Sequence, residues 1–200
     1  MVRHIILIVS LLTFGFPVLA IPHPSGVTKI NFYPIKLDIS PLQPGQMMTF
    51  EWQGMPVSVY YRTENEIKAL YEDNPLLADS NSEHQSRSDY LIKYHDTIHL
   101  DSDWVKTPKR SVRAKYFVFL LPSPLQGCAV KLNVNQFKGK ELNAPEGWDG
   151  TFFDPCDEVY YDAAGRVFKH DKARYNLYVP NYHFISDSAI ELLPESFDKQ

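Results

Sequence analysis

The two cysteines of this 200-residue chain, Cys128 and Cys156, are the first places to look for chemistry. In an exported chain two cysteines read as one disulfide, because that compartment is oxidising; two unrelated buried thiols are the alternative. A bridge between them would close a loop of about 28 residues, worth about 3.6 kcal/mol in chain entropy. Around the second cysteine stand Asp154, Asp157 and Glu158. Their oxygens suit a hard divalent cation, and their plainer reading is a solvated acidic surface. The seven histidines offer no obvious ligand set. His95 and His99 are four apart in a strand-like segment, where that spacing does not build the face of a helical metal pair. His170 and His183 read as ordinary polar positions near the last strands. No Ser-His-Asp or Cys-His grouping points to hydrolysis, so the chain reads as not itself catalytic.

The elements that must position these residues are legible from composition and pattern. Aromatic content of 14% and hydrophobic content of 44% are enough for a real core, which excludes general disorder. The net charge of −4 is mixed in sign and lacks a Lys/Arg block, so no nucleic-acid partner is expected. Met1-Val-Arg-His4 is a short basic start to the apolar run Ile5 to Leu19, which closes on the small residues of a peptidase site at Val18-Leu19-Ala20. Residues 1–20 therefore read as a signal peptide or a retained N-terminal membrane anchor, although the run is shorter than the ~20 residues of a full span. The chain is expected outside the cytoplasm, periplasmic or anchored facing the periplasm. A bacterial source is favoured because the leader lacks the arginine-rich amphipathic character of a mitochondrial presequence.

Residues 21–34 are rich in Pro and polar residues and read as a linker. Ile35 to Ile39 alternates as a half-buried strand. Pro44-Gly45 turns the chain into Met47 to Trp52, and Gln53-Gly54 turns it again into Val57 to Tyr61. Thr63-Glu-Asn-Glu66 is a capping box that starts a short helix reaching about Tyr71. Asn74 to Ser88 is polar and without period, hence a surface loop, and Tyr94 to Trp104 is a weak edge strand. Lys115 to Leu121 is a strongly apolar β-run. Lys131 to Val134, Thr151 to Phe153, Tyr160 to Lys169 and Tyr175 to Phe184 supply further strands, with a turn at Pro145-Glu-Gly-Trp148.

Two loops carry a family resemblance. Leu121-Pro-Ser-Pro-Leu-Gln-Gly-Cys128 and Phe153-Asp-Pro-Cys-Asp-Glu-Val-Tyr-Tyr-Asp-Ala-Ala-Gly-Arg166 resemble the Rieske pair C-T-H-L-G-C and C-P-C-H-G-S-x-Y-D-x-x-G-R. Pro44-Gly45-Gln46, Trp52-Gln-Gly-Met-Pro-Val57 and Arg62-Thr63 resemble the base of the iron–sulfur subunits of quinol–cytochrome c reductases, and the stretch from Leu177 to Phe184 resembles their closing strand. The resemblance implies an all-β, Rieske-like antiparallel β-sandwich with a small inserted subdomain and one short helix. It spans residues 35–190, with the base at 35–105 and 160–190, the former cluster-binding subdomain at about 115–160, and a tail at 191–200.

The same resemblance implies a [2Fe–2S] cofactor, which needs two thiolates on one iron and two imidazoles on the other. The thiolate positions fall on Ser123 and Asp154, and the imidazole positions on Leu125 and Asp157. No cluster is therefore expected. Cys128 and Cys156 occupy the positions of the family's loop-to-loop disulfide, which favours the bridge. Val159 stands where the family has a cluster-bonding serine, Tyr161 keeps the family's tyrosine with core packing as its plain role, and His170-Asp-Lys-Ala173 replaces the covering proline loop. If the fold is kept, Asp154, Asp157 and Glu158 converge at the tip, with Ser123 beside them, as a weak cation site or a solvated acidic tip. Bacterial Rieske proteins loaded before export use a twin-arginine leader; this one has the single Arg3, and a chain without a cluster can cross unfolded.

The expected function is a non-redox structural or accessory subunit of a respiratory electron-transfer complex, with cytochrome b and c subunits as partners. The alternatives are a soluble periplasmic binding module on the same scaffold, and an electron carrier with an atypical metal site.

Overall fold

The computed structural model describes residues 33–83, 103–132, 151–169 and 175–194. They form an all-β, antiparallel architecture of three three-stranded sheets. The base of the molecule is built around a hairpin. Strand β2 (Met47–Trp52) pairs with β3 (Met55–Tyr61) from Met47↔Tyr60 to Trp52↔Met55. Its two-residue turn has both central residues in the left-handed region, Gln53 at φ 51 and Gly54 at φ 86, the geometry that follows the natural twist of a hairpin. Strand β4 (Tyr116–Leu120) adds to the other edge of β3. Central β3 is covered on both faces, so it reads as a nearly continuous apolar run.

The second sheet orders β1 (Ile35–Asp38), β9 (Ala189–Leu192) and β8 (Tyr182–Phe184). The third joins β5 (Lys131–Leu132), β6 (Phe152–Asp154) and β7 (Val159–Tyr161). Leu37, Ile190 and Leu192 of the second sheet, Val57, Val59, Phe117 and Phe119 of the first, and Phe152, Val159 and Tyr161 of the third share one core. The opposite face of the third sheet, Phe153 and Tyr160, forms a separate cluster with Leu77 and Phe168. Strand alternation thus gives β6 and β7 two buried faces.

Among the described residues the single α-helix is α1 (Glu64–Ala69). Thr63 caps it with the reciprocal bonds of a capping box: the Glu66 N–H donates to Thr63 Oγ1 at 3.3 Å, and the Thr63 N–H donates to Glu66 Oε2 at 2.6 Å.

Two buried guanidiniums fasten the first sheet to the turn after β7. Arg62 donates to the carbonyls of Ala163 (2.7 Å), Ala114 (2.8 Å) and Lys109 (2.8 Å) and to Ser111 Oγ (3.0 Å). Arg110 donates to the carbonyls of Ala164 (2.9 Å), Gly165 (3.1 Å) and Leu177 (2.8 Å). Burial lowers Arg62 to about 10 and Arg110 to about 9, which leaves both charged at neutral pH. Inside the turn, Asp162 pairs with Arg166 Nε at 2.6 Å and accepts the N–H groups of Ala164 and Arg166.

Several expectations are corrected. The start of the supposed surface loop at 74–88 is a cover for the third sheet: Leu77 is buried and bridges to Phe168, the Ala78 N–H donates to Val167, and the Lys169 N–H donates to Leu76. One apolar side chain, Leu77, folds an otherwise polar segment inward, while its neighbour Leu76 stays exposed. Asp103 and Trp104 open a 3-10 turn (Asp103–Lys106) instead of ending an edge strand; residues 94–102 of that expectation, His95 and His99 included, lie outside the described residues. Residues 175–181 run as an irregular segment beside β4, with the Leu120 N–H donating to Tyr178, and only Tyr182–Phe184 form the last expected strand. Helix α1 stops at Ala69, short of Tyr71. Strand β9 runs to Leu192, past residue 190, and β4 pairs with β3, so Tyr116–Leu120 belong with the base strands. The linker before Tyr33, the turn at 145–148, residues 133–134, residues 170–173 and the tail from 195 lie outside the described residues.

Candidate functional site

The site is made by two loops. The first leaves β4 and folds on itself: the Ser123 N–H donates to the Cys128 carbonyl at 2.8 Å, the Gly127 N–H to the Ser123 carbonyl at 3.2 Å, and the Val130 N–H to Leu121 at 3.0 Å. Gly127 supplies the left-handed backbone, φ 76, that this closure needs. The second loop is the β6–β7 hairpin turn between the paired residues Asp154 and Val159. Asp154 Oδ1 accepts the Cys156 N–H at 2.9 Å, an Asx turn that sets the start of the loop.

Two bonds tie the loops together. Cys128 and Cys156 form the disulfide that the resemblance implied, across a sequence separation of 28. Gln126 Nε2 donates to Asp157 Oδ1 at 2.6 Å. Nothing in the sequence singled out Gln126, since its partner is set only when the loops meet.

The structure places the four ligand positions unevenly. Ser123 and Asp154 are fully buried and Asp157 is 4% exposed. They are not a solvated tip, because Leu121 to Cys128 and the disulfide lie against the hairpin. Leu125 is half-buried at the margin of the main core. Glu158 is exposed at φ 56, and so stands apart from the three residues it was expected to join. Ser123 Oγ, Asp154 Oδ2 and Asp157 Oδ2 are each buried without a protein hydrogen-bond partner. Tyr161 packs in the main core, and burial holds its phenol well above the usual range, with the nearby charges of Asp154 and Asp157 adding to the effect. Val159 is a core residue of β7. His183 lies on β8, half-exposed, with Nε2 at 3.3 Å from Glu191; the other six histidines lie outside the described residues.

A Rieske [2Fe–2S] centre takes two thiolates and two imidazoles. Here the corresponding atoms are a hydroxyl, an alkyl group and two carboxylates. The chain has two cysteines in all, and both are in the disulfide. The sulfurs and an Asp154 oxygen lie within 4.8 Å of one another, but disulfide sulfurs are not thiolates. This donor set does not fit the cluster.

An antiparallel β base carrying two disulfide-joined loops at its end defines a Rieske-type domain. No protein-family model matches the chain. Among curated proteins it is 30% identical to the ubiquinol-cytochrome c reductase iron-sulfur subunit of Allochromatium vinosum over 174 residues, covering 87% of this chain and 76% of that one. The subunit of the same name in Blastochloris viridis is 27% identical over 186 residues, 89% of this chain and 80% of that protein. The mitochondrial cytochrome b-c1 complex subunit Rieske of Saimiri sciureus is 29% identical over 156 residues, and the chain spans 44% of its length. Among solved structures, a chain of a hyperthermophilic respiratory Complex III is similar at a TM-score of 0.39 and 15% identity, over 78% of this chain and 71% of that one. The chain belongs to the family of Rieske iron–sulfur subunits of ubiquinol–cytochrome c reductase.

Proposed function

We propose that this chain is a non-redox member of the Rieske family, a structural or accessory subunit of a membrane-bound respiratory complex, with cytochrome b and c subunits as its partners. The observation that carries the proposal is the fate of the sulfurs: both cysteines of the chain are joined in a disulfide, and the thiolate positions hold Ser123 and Asp154. The β base is complete from the Gln53-Gly54 hairpin to β9, and two buried arginines, Arg62 and Arg110, hold the turn at 162–166 against it. A surface that docks on partners is retained by keeping its scaffold, whereas a cluster site is lost by changing a few ligands. The chain acts on the outer side of the membrane, periplasmic or anchored there. Among the described residues no helix is long and apolar enough to cross a membrane, and residues 1–32, which hold the apolar run, lie outside them.

Two measurements on the natively expressed protein test this. Iron, acid-labile sulfide and the electron paramagnetic resonance spectrum of the dithionite-reduced protein report on the cluster. A tagged pull-down from gently solubilised membranes reports on the partners by mass spectrometry. The expected results are a colourless, iron-free protein and recovery of cytochrome b and c subunits. Stoichiometric iron and sulfide would end the non-redox reading, and recovery from the soluble fraction alone would end the subunit reading in favour of a separate binding module.

A further inference from the structure

The two facing loops bury side-chain oxygens that no protein group matches. Among the described residues, the buried side-chain oxygens without a protein partner include Ser123 Oγ, Asp154 Oδ2 and Asp157 Oδ2, which come from the two facing loops. A buried carboxylate oxygen left unmatched carries its full desolvation penalty, so such groups are normally matched by a proton, a water or an ion. Two observations bring the loops that carry them together. The disulfide holds Ser123's loop against the hairpin turn, with the Asp154 carboxylate within 4.8 Å of both sulfurs. Gln126 fixes the other oxygen of Asp157 from the first loop, and Cys156 N–H fixes the other oxygen of Asp154, which leaves one free oxygen on each.

Each of these buried carboxylate oxygens has lost its hydration and gained no protein contact in its place. A single divalent cation removes both penalties at once. Neither carboxylate forms an ion pair with Lys or Arg among the described residues. The donors are all oxygen, which selects against soft, thiolate-seeking metals and in favour of Mg2+ or Ca2+. We propose that Ser123, Asp154 and Asp157 form a binding site for a hard divalent cation, Mg2+ or Ca2+, between the two disulfide-joined loops. The ion would do mechanically what the cluster does in relatives that hold one, clamping the first loop to the β6–β7 hairpin. The inference rests on the reading that no [2Fe–2S] cluster is held there.

The test uses the full chain, stripped with a chelator and titrated calorimetrically with CaCl2 and, separately, MgCl2, with melting followed in parallel. One-to-one binding by at least one of the two ions is expected, with a raised melting temperature. Asp154→Asn and Asp157→Asn should each weaken binding about tenfold or more. Glu158→Gln, at an exposed position, should leave it unchanged. Ser123→Ala is the variant that keeps the test open if an aspartate variant fails to fold, because its small hydroxyl has no protein partner to lose; it should weaken binding while leaving metal-free melting intact. No heat with either ion up to about 10 mM, beyond the weakest extracellular calcium modules, overturns the proposal, as does undiminished binding by Ser123→Ala together with Asp154→Asn. Iron and labile sulfide measured on the same sample separate the two ideas. An iron-free protein that binds neither ion sinks the cation site alone, whereas a stoichiometric cluster sinks the non-redox reading and this site with it.

Discussion

Gly165 is the position where a single methyl group tests the packing that carries the site. A Cβ there would sit 2.5 Å from Phe117 Cζ, 2.8 Å from Phe117 Cε1 and 2.9 Å from Leu177 Cβ. Phe117 and Leu177 are fully buried, so neither ring nor backbone has room to retreat. Moving the glycine instead breaks bonds, because its carbonyl accepts from Arg110 Nη1 at 3.1 Å and from the Leu177 N–H at 2.8 Å. Gly165 also lies at φ +66, where an L side chain costs roughly 1–2 kcal/mol. Overpacking adds about 1–3 kcal/mol, for a total on the order of 4 kcal/mol for Gly165→Ala. Gly54→Ala is the internal control: at φ +86, with nothing within 4 Å of the new methyl, it carries the conformational penalty alone. For a domain of this size each kcal/mol moves melting by about 2–4 °C, so scanning calorimetry should show a fall of roughly 10 °C or more for Gly165→Ala and roughly 4 °C for Gly54→Ala. Equal shifts for the two variants would refute the steric argument.

Three further outcomes are expected. Replacing both cysteines, Cys128→Ser with Cys156→Ser, should lower stability by up to about 3.6 kcal/mol in urea melts, and a loss below about 1 kcal/mol would mean that the loops hold each other without the bridge. Arg62→Met strands the buried carbonyl of Ala163 and the partly buried carbonyls of Lys109 and Ala114 and should cost on the order of 4 kcal/mol, with Arg62→Lys recovering less than half because a single ammonium cannot span the same acceptors. Burial raises Tyr182 from 10.0 to about 12, opposed by the Val112 N–H that donates to its oxygen and by Arg62. Because the folded-state value is the higher one, this stabilisation is complete below pH 10 and lost as pH rises to 12; it amounts to on the order of 3 kcal/mol, so alkaline melts of Tyr182→Phe should show a correspondingly shallower decline over that window.

Much of the scaffold is written locally. The Gln53-Gly54 turn, the Thr63–Glu66 capping box and the apolar run into β4 depend on neighbouring residues, and each lies where its sequence placed it. The disulfide was legible by another route: spacing left its pairing open, and the positions of Cys128 and Cys156 within the two motifs favoured it. What the sequence could not reveal is which polar groups lie inside. Arg62 looks like any strand-end arginine until acceptors 47 to 101 residues away close around it, and Arg110 draws on carbonyls 54 to 67 residues distant. Leu77 turns a polar loop into a lid because Phe168 and the outer face of the third sheet are waiting for it. Asp154 and Asp157 sit in a motif that reads as a wet acidic tip, and only the approach of the first loop removes them from water while leaving Glu158 in it. Turns, caps and strand periodicity arise from interactions between near neighbours, which a sequence displays. The burial of a charge is decided by segments distant in the chain, and the tertiary structure alone determines where they meet.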